Sequence, residues 1–198
     1  MGDYRYDDLS EYNWLMGEIV RHEAAQADAL GYLLQDRLRP DSVIDVGCGP
    51  GIYLLPFKGG GCRVLGIDGA PEAGRFLGQG EFLQVDLRIG RVAVDPRYDL
   101  GLCIEVAEHL RPQFADRLMD IVCDTSNTVF FCAARPGQGG EGHYNEQPQD
   151  YWRAKFELRG FTLHPLDTEI HREIMLGQVY EHCGWLRWNS FLMKRRDG

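Results

Sequence analysis

No stretch of the 198-residue chain approaches the ~20 consecutive apolar residues of a membrane-spanning helix, and no basic segment followed by an apolar one opens it. No membrane partner is therefore expected, and the cytoplasm is the expected address. Cysteine pairs with C-x-x-C spacing are also missing. The six cysteines stand at 48, 62, 103, 123, 132 and 183, and Cys103 and Cys132 lie inside apolar runs, where a thiol acts as a small hydrophobe. They are read as reduced and mostly structural. No His/Cys cluster has metal-ligand spacing along the chain, so no metal is expected. Positive charge is scarce: 21 Lys and Arg against 30 Asp and Glu leave a formal charge of -9, a field that opposes polyanions and makes nucleic acid a disfavoured partner. The one dense basic run, Lys194-Arg195-Arg196, reads as a solvated tail. Without low-complexity tracts or a repeat period, residues 1–198 read as one domain with a sizeable core.

From Asp8 to Arg39, apolar residues Leu9, Tyr12, Met16, Ile19, Ala27, Leu30 and Leu34 recur at helical intervals. Asp8 and Glu11 are placed like a capping box, and Pro40 lies beyond the end. The spacing predicts one long N-terminal helix, or two joined near Gly31. Seven strand-like runs follow: Ser42 to Val46, Arg63 to Ile67, Phe82 to Val85, Tyr98 to Ile104, Thr128 to Ala133, Phe161 to His164 and Trp188 to Met193. Helical stretches are clearest at Pro112 to Val122 and at Gln149 to Arg159, the latter stopped by Gly160. Alternation of strand and helix predicts an α/β architecture with a mostly parallel sheet, whose chemistry lies in the loops that leave the strands' carboxyl ends.

The loop after the first strand reads Asp45-Val46-Gly47-Cys48-Gly49-Pro50-Gly51. Glycine is needed where a Cβ would block both the tight turn and a ligand's approach to the backbone. A dinucleotide fingerprint requires glycine at position 52, where Ile52 stands; the spacing is instead G-x-G-x-G with an acid two residues ahead. Asp68 closes the second strand, twenty-one positions after Gly47, where a carboxylate can accept hydrogen bonds from both hydroxyls of a ribose. Asp86 closes the third.

On these residues, from about Ser42 to Ala134, the chain resembles the class I S-adenosylmethionine (SAM)-dependent methyltransferases of small-molecule type. The resemblance implies a Rossmann-like, doubly wound, seven-stranded sheet with helices on both faces, and SAM as cofactor. It places Asp45, Gly47, Cys48, Gly49 and Gly51 at the donor, Asp68 and Gly69 at the ribose, and Asp86 and the Leu87 N–H at the adenine. The fourth strand runs into Glu105-Val106-Ala107-Glu108-His109-Leu110, and many relatives carry an acid followed by His-Leu there. Glu105, Val106 and His109 are expected near the methionine end. Glu105 reads equally as a carboxylate capping the next helix, and His109 as an orienting or packing residue. The Asp/Asn-Pro-Pro-aromatic run of base-amine methyltransferases and the Asp-plus-Asp-Asn metal set of catechol-type enzymes are not evident. Phe57 to Cys62 is broken by glycines, so the helix after the first loop must be brief.

Residues 135–150 form a polar, glycine-rich segment expected to act as a substrate-side lid, with His143 the candidate base for a hydroxyl acceptor; a flexible surface loop is the alternative. Tyr12, Trp14, Trp185 and Trp188 line an acceptor pocket or are simply core. The expected partner is a small-molecule acceptor. Competing readings are a SAM-fold protein without catalysis and a nucleotide-cofactor oxidoreductase.

Overall fold

The structure, a computed structural model, describes residues 9–181 and 183–196, with side chains in the first helix described at position 17 and from position 20 onward. Asp8 and the side chains of Leu9, Glu11, Tyr12, Trp14, Met16 and Ile19, invoked above, lie outside the described part. Seven strands, β1 (Ser42–Val46), β2 (Arg63–Asp68), β3 (Phe82–Gln84), β4 (Tyr98–Ile104), β5 (Ser126–Cys132), β6 (Phe161–Leu163) and β7 (Phe191–Arg195), form one sheet in the order β3-β2-β1-β4-β5-β7-β6. The first five pair in parallel, and β7 runs antiparallel between β5 and β6. Chain order reverses between β1 and β4. That is the switch point at which an open α/β sheet offers a crevice beyond its carboxyl ends.

Both faces are covered because the central strands are apolar on both sides. Leu100, Leu102 and Ile104 of β4, with Phe130 and Cys132 of β5, face one core; Cys103, Val129 and Phe131 face the other. The first core is closed by α1 (Leu9–Leu38), α2 (Leu55–Gly59), α5 (Asp167–Leu176) and α6 (Gly184–Asn189). The second is closed by α3 (Ala115–Thr125) and α4 (Gln149–Leu158), which bury Leu118, Trp152 and Phe156. All six cysteines are free, and five are buried.

The first helix is continuous, not two joined at Gly31. A Cβ at Gly31 would stand 2.6 Å from Pro56 Cγ, so the glycine permits α1 to press against α2 rather than breaking the helix. The brief helix after the first loop is present as the 3-10 turn Ile52–Leu54 followed by α2. The helix expected from Pro112 opens with a 3-10 turn, Pro112–Phe114, and α3 proper begins at Ala115.

Two expectations need correction. The last strand does not begin at Trp188: Gly184–Asn189 is helical, and the strand starts at Phe191. Leu186 and Asn189 are buried while Trp188 is half exposed, so the aromatic-rich run follows a helical period. Lys194-Arg195-Arg196 is not a free tail either. Lys194 and Arg195 pair within the sheet, the Arg195 guanidinium lies 4.6 Å from the Phe161 ring centroid, and the Arg196 N–H donates to the Gly160 carbonyl.

Candidate cofactor and acceptor site

The bend after β1 is fixed by three glycines in the left-handed region, with φ of 82° at Gly47, 49° at Gly49 and 89° at Gly51. The Gly47 and Cys48 N–H groups donate to the Ile67 carbonyl, and a Cβ at Gly47 would lie 2.5 Å from Val106 Cγ2. Cys48 turns its thiol against Gly66 of β2, where a Cβ would meet Sγ at 2.7 Å, and the thiol donates to the Gly49 carbonyl at 3.5 Å, so the side chain braces the bend from behind.

Asp68, at the tip of β2, accepts from the Gly49 N–H at 3.0 Å through Oδ2 and from the Ala70 N–H at 2.9 Å through Oδ1. The carboxylate, which also faces the Gly69 N–H, thus holds the bend in place and keeps acceptor capacity for another donor. Desolvation raises its pKa above the usual value, against the pull of those N–H groups. Asp45, buried beneath the bend, is pushed up to about 8 by desolvation and then by the charge of Asp68. Gly69 is exposed beside Asp68 and is not in the left-handed region.

At the tip of β3, Asp86 is clamped by its near neighbour: Arg88 Nε donates to Oδ1 at 2.7 Å and Nη2 to Oδ2 at 2.5 Å. Any adenine amino group would share that carboxylate with a guanidinium, a partner the sequence did not disclose. Leu87 buries its side chain in the core, and its N–H has no acceptor among the described residues.

The residues expected on the acceptor side lie at and beyond the tips of β4 and β5. Glu105 has φ of 52°, and of the described non-glycine residues only Arg39 shares the left-handed region with it. Its N–H donates to the Cys132 carbonyl, the Cys132 thiol donates to Oε1 at 3.2 Å, and Gln138 Nε2 donates to Oε2 at 3.4 Å. Burial, and then the charge of Glu108, push the Glu105 carboxyl up to about 9. Gln138 also accepts from Asn189 Nδ2 at 2.7 Å, so one side chain joins the strand tip to α6. Beside it, Arg135, Gln138, Trp185, Trp188 and Asn189 border a groove of about 670 Å³. A groove of equal volume, bordered by Ser42, Arg63, Asp99 and Asn127, lies at the opposite ends of the strands, away from every residue expected in the site. From α1, Glu23 reaches the same region and accepts the Tyr53 hydroxyl hydrogen at 2.9 Å.

The segment after β5 is irregular but pinned. Glu146 accepts from the Gly137 N–H at 2.8 Å, the Gly139 N–H at 2.7 Å and His143 Nδ1 at 3.0 Å. Glu108, wholly buried, accepts from the Ala134 N–H at 3.0 Å through Oε1, and its backbone carbonyl accepts from Tyr144 and Asn145. His109 packs edge-on to His143, with ring centroids 4.9 Å apart. Desolvation, and also His143, draw the His109 imidazole below its ordinary pKa, against the opposing charge of Glu108. Glu23, Glu108, Gln138 and Glu146 were not singled out from the sequence. Glu108, Gln138 and Glu146 lay inside segments already read as functional, whereas Glu23 carries no local signal.

A model of the family described as a methyltransferase domain matches residues 16–134. The chain belongs to this methyltransferase family. A ubiquinone biosynthesis O-methyltransferase of Rhodopseudomonas palustris (strain BisB5) is 34% identical over 83 residues, which is 38% of this chain and 33% of that protein. The match thus spans about a third of the curated relative's length. In fold, this methyltransferase-family chain is similar to the sugar N-methyltransferase KedS8 from Streptoalloteichus sp ATCC 53650, at 15% identity and a TM-score of 0.66, covering 100% of this chain and 96% of that one. It is also similar to magnesium protoporphyrin IX methyltransferase from Synechocystis PCC 6803 with bound S-adenosylhomocysteine, at 18% identity and a TM-score of 0.60, covering 98% and 90%. The cofactor of this fold and family is SAM, and the residues fit it. The bend has no room for a Cβ at Gly47, Asp68 retains acceptor capacity, and the Leu87 N–H is uncommitted. Among the described residues, no helix is long and apolar enough to cross a membrane.

Proposed function

We propose that the protein transfers a methyl group from SAM to the oxygen or nitrogen of a small organic acceptor. The observation that carries this reading is the bend at the switch point, tied through the Gly49 N–H to Asp68, with acceptor-side carboxylates one strand away at Glu105. When bound, the cofactor supplies a sulfonium-activated methyl group for in-line displacement, so the protein's task is to align donor and nucleophile rather than to form a covalent intermediate.

Gly47, Gly49 and Gly51 let the backbone approach the donor, with Asp45 buried behind them and Cys48 and Val106 walling the bend. Asp68 and the neighbouring Gly69 backbone hold the ribose; Asp86 and the Leu87 N–H hold the adenine. Glu105 orients the reacting end, and His109 packs beside it. His143 presents Nε2 to the acceptor because Nδ1 is committed to Glu146. For a hydroxyl acceptor that nitrogen receives the proton, and Glu146 stabilises the resulting imidazolium. Residues 135–150 border the acceptor side as a pre-ordered wall.

Calorimetry with S-adenosylhomocysteine tests the donor site: one equivalent is expected to bind, and NADH is expected not to. A well-folded protein that takes up NADH and not S-adenosylhomocysteine refutes the reading. Methyl transfer in a panel of hydroxyl and amine acceptors then separates catalysis from cofactor binding alone.

A further inference from the structure

Glu108 and His109 lie in the 3-10 turn Ala107–His109 that follows β4, and His143 lies on the segment that follows β5. Folding brings one ligand-capable atom from each within 4.8 Å of the others. Glu108 is 0% exposed, and its Oε2 has no hydrogen-bond donor. A buried carboxylate oxygen in that state is destabilising unless a hydrogen or a positive charge meets it. Glu105 stands close enough to share a hydrogen with it, so a proton held between the two carboxyls is the competitor that a cation must displace. The sequence reading expected no metal because these ligands do not fall at a recognisable spacing; only the return of the chain after β5 unites them.

Both imidazoles are already oriented from behind. His143 Nδ1 is held by Glu146 Oε1 at 3.0 Å, and that carboxylate is itself fixed by two glycine N–H groups. The His109 ring is bonded to the Gly142 backbone. A histidine whose far nitrogen rests on a carboxylate or a backbone carbonyl is the arrangement that sets tautomer and direction in metal centres. The absence of a Cβ at Gly140 lets the His143 ring lie against the backbone, where a Cβ would meet Nε2 at 2.4 Å.

We propose that Glu108, His109 and His143 form a binding site for a divalent transition-metal cation of the zinc or cobalt type. Two imidazoles and one carboxylate select such ions over magnesium or calcium, which prefer oxygen alone. Ligand distances of about 2.0–2.2 Å require the three atoms to draw together by roughly 1 Å on loading. The exposed His109 ring can supply this movement while the segment that carries His143 stays pinned. The remaining coordination positions are open to water or to an oxygen of the acceptor, a clause that rests on the methyltransferase reading; cation binding itself does not. A loaded site makes His143 a ligand, so the base role proposed for it belongs to the cation-free protein.

The test is titration of the purified full chain with Co2+, followed by visible absorption and calorimetry, with Zn2+ as competitor. The expected result is one equivalent bound, with d–d bands of a nitrogen and oxygen site and no thiolate-to-cobalt charge-transfer band, despite six free cysteines. Glu146→Gln is expected to weaken binding by about 10–100-fold, the usual effect of losing an outer partner, and His109→Ala by at least as much. Glu108→Gln should abolish binding, but Glu108 also anchors Ala134, so the exposed His109 provides the variant that keeps its fold. No stoichiometric uptake, a thiolate band, or unchanged affinity in His109→Ala overturns the proposal. S-adenosylhomocysteine uptake measured on the same preparation separates the two readings: uptake without cobalt binding sinks only the cation site, and cobalt binding without uptake sinks only the methyltransferase reading.

Discussion

Replacing Gly47 by alanine asks how much of the site rests on a single missing carbon. At φ of 82° the new residue sits in the left-handed region, at a cost of about 1–2 kcal/mol. Its Cβ would stand 2.5 Å and 2.7 Å from the two Val106 methyl groups, and overpacking of that kind costs about 1–3 kcal/mol. A combined loss near 3 kcal/mol in a chain of this size lowers Tm by roughly 6–12 °C. If the bend shifts to relieve the clash, the Gly49 N–H moves off Asp68, and S-adenosylhomocysteine affinity falls by more than about tenfold, or 1.4 kcal/mol. Adding Val106→Ala removes the methyl groups but not the backbone strain, so Gly47→Ala should cost roughly half as much in the V106A background as in the parent. Thermal unfolding and calorimetry on the four proteins of this cycle decide the matter. A Gly47→Ala Tm within about 1 °C of the parent, or no recovery from Val106→Ala, would refute the reasoning.

Gly31→Ala sets helix propensity against packing. Alanine gains about 0.5–1 kcal/mol in a helix interior, but contact at 2.6 Å with Pro56 Cγ costs about 1–3 kcal/mol, so urea denaturation should show a net loss; a gain would mean that α1 does not press on α2. Stability should also fall with rising pH. Asp45 and Glu105 hold their protons in the folded state to about 8 and about 9, whereas both ionise near 4 when unfolded. The unfolded chain thus binds fewer protons between those values, and the stabilising contribution present below about pH 4 is lost as pH rises through the folded pKa values. Asp45→Asn should flatten its part of this decline in a denaturation series from pH 5 to about 9, and an unaltered slope would show that Asp45 ionises normally.

The sheet was legible where burial is two-sided. β1, β2 and β4 are continuous apolar runs with a strand-breaking loop at each carboxyl end, and their limits lie within a residue of those read from composition. The end of the chain was harder: Trp185, Leu186 and Trp188 suit a strand by residue type, and only their one-sided burial reveals α6. Asp167–Leu176 was missed because its apolar face is slender, with Ile170 and Ile174 as its buried residues. In the site, the glycine bend and Asp68 are local in sequence and could be read there. The Asp86–Arg88 clamp could not, since Asp-Leu-Arg is an ordinary tripeptide until a turn folds the guanidinium back. The meeting of Glu108 with His143 depends on two loops whose register is set by β4 pairing with β5, which no spacing within either segment encodes.

Glu146 gathers three donors from a segment rich in glycine, the residue whose backbone loses most freedom on ordering. Because that freedom is surrendered during folding, an acceptor that binds there, as proposed, would meet a wall already set and forfeit little of its binding energy to arranging it. Selectivity at this wall should therefore follow the shape of the acceptor more than the compliance of the loop.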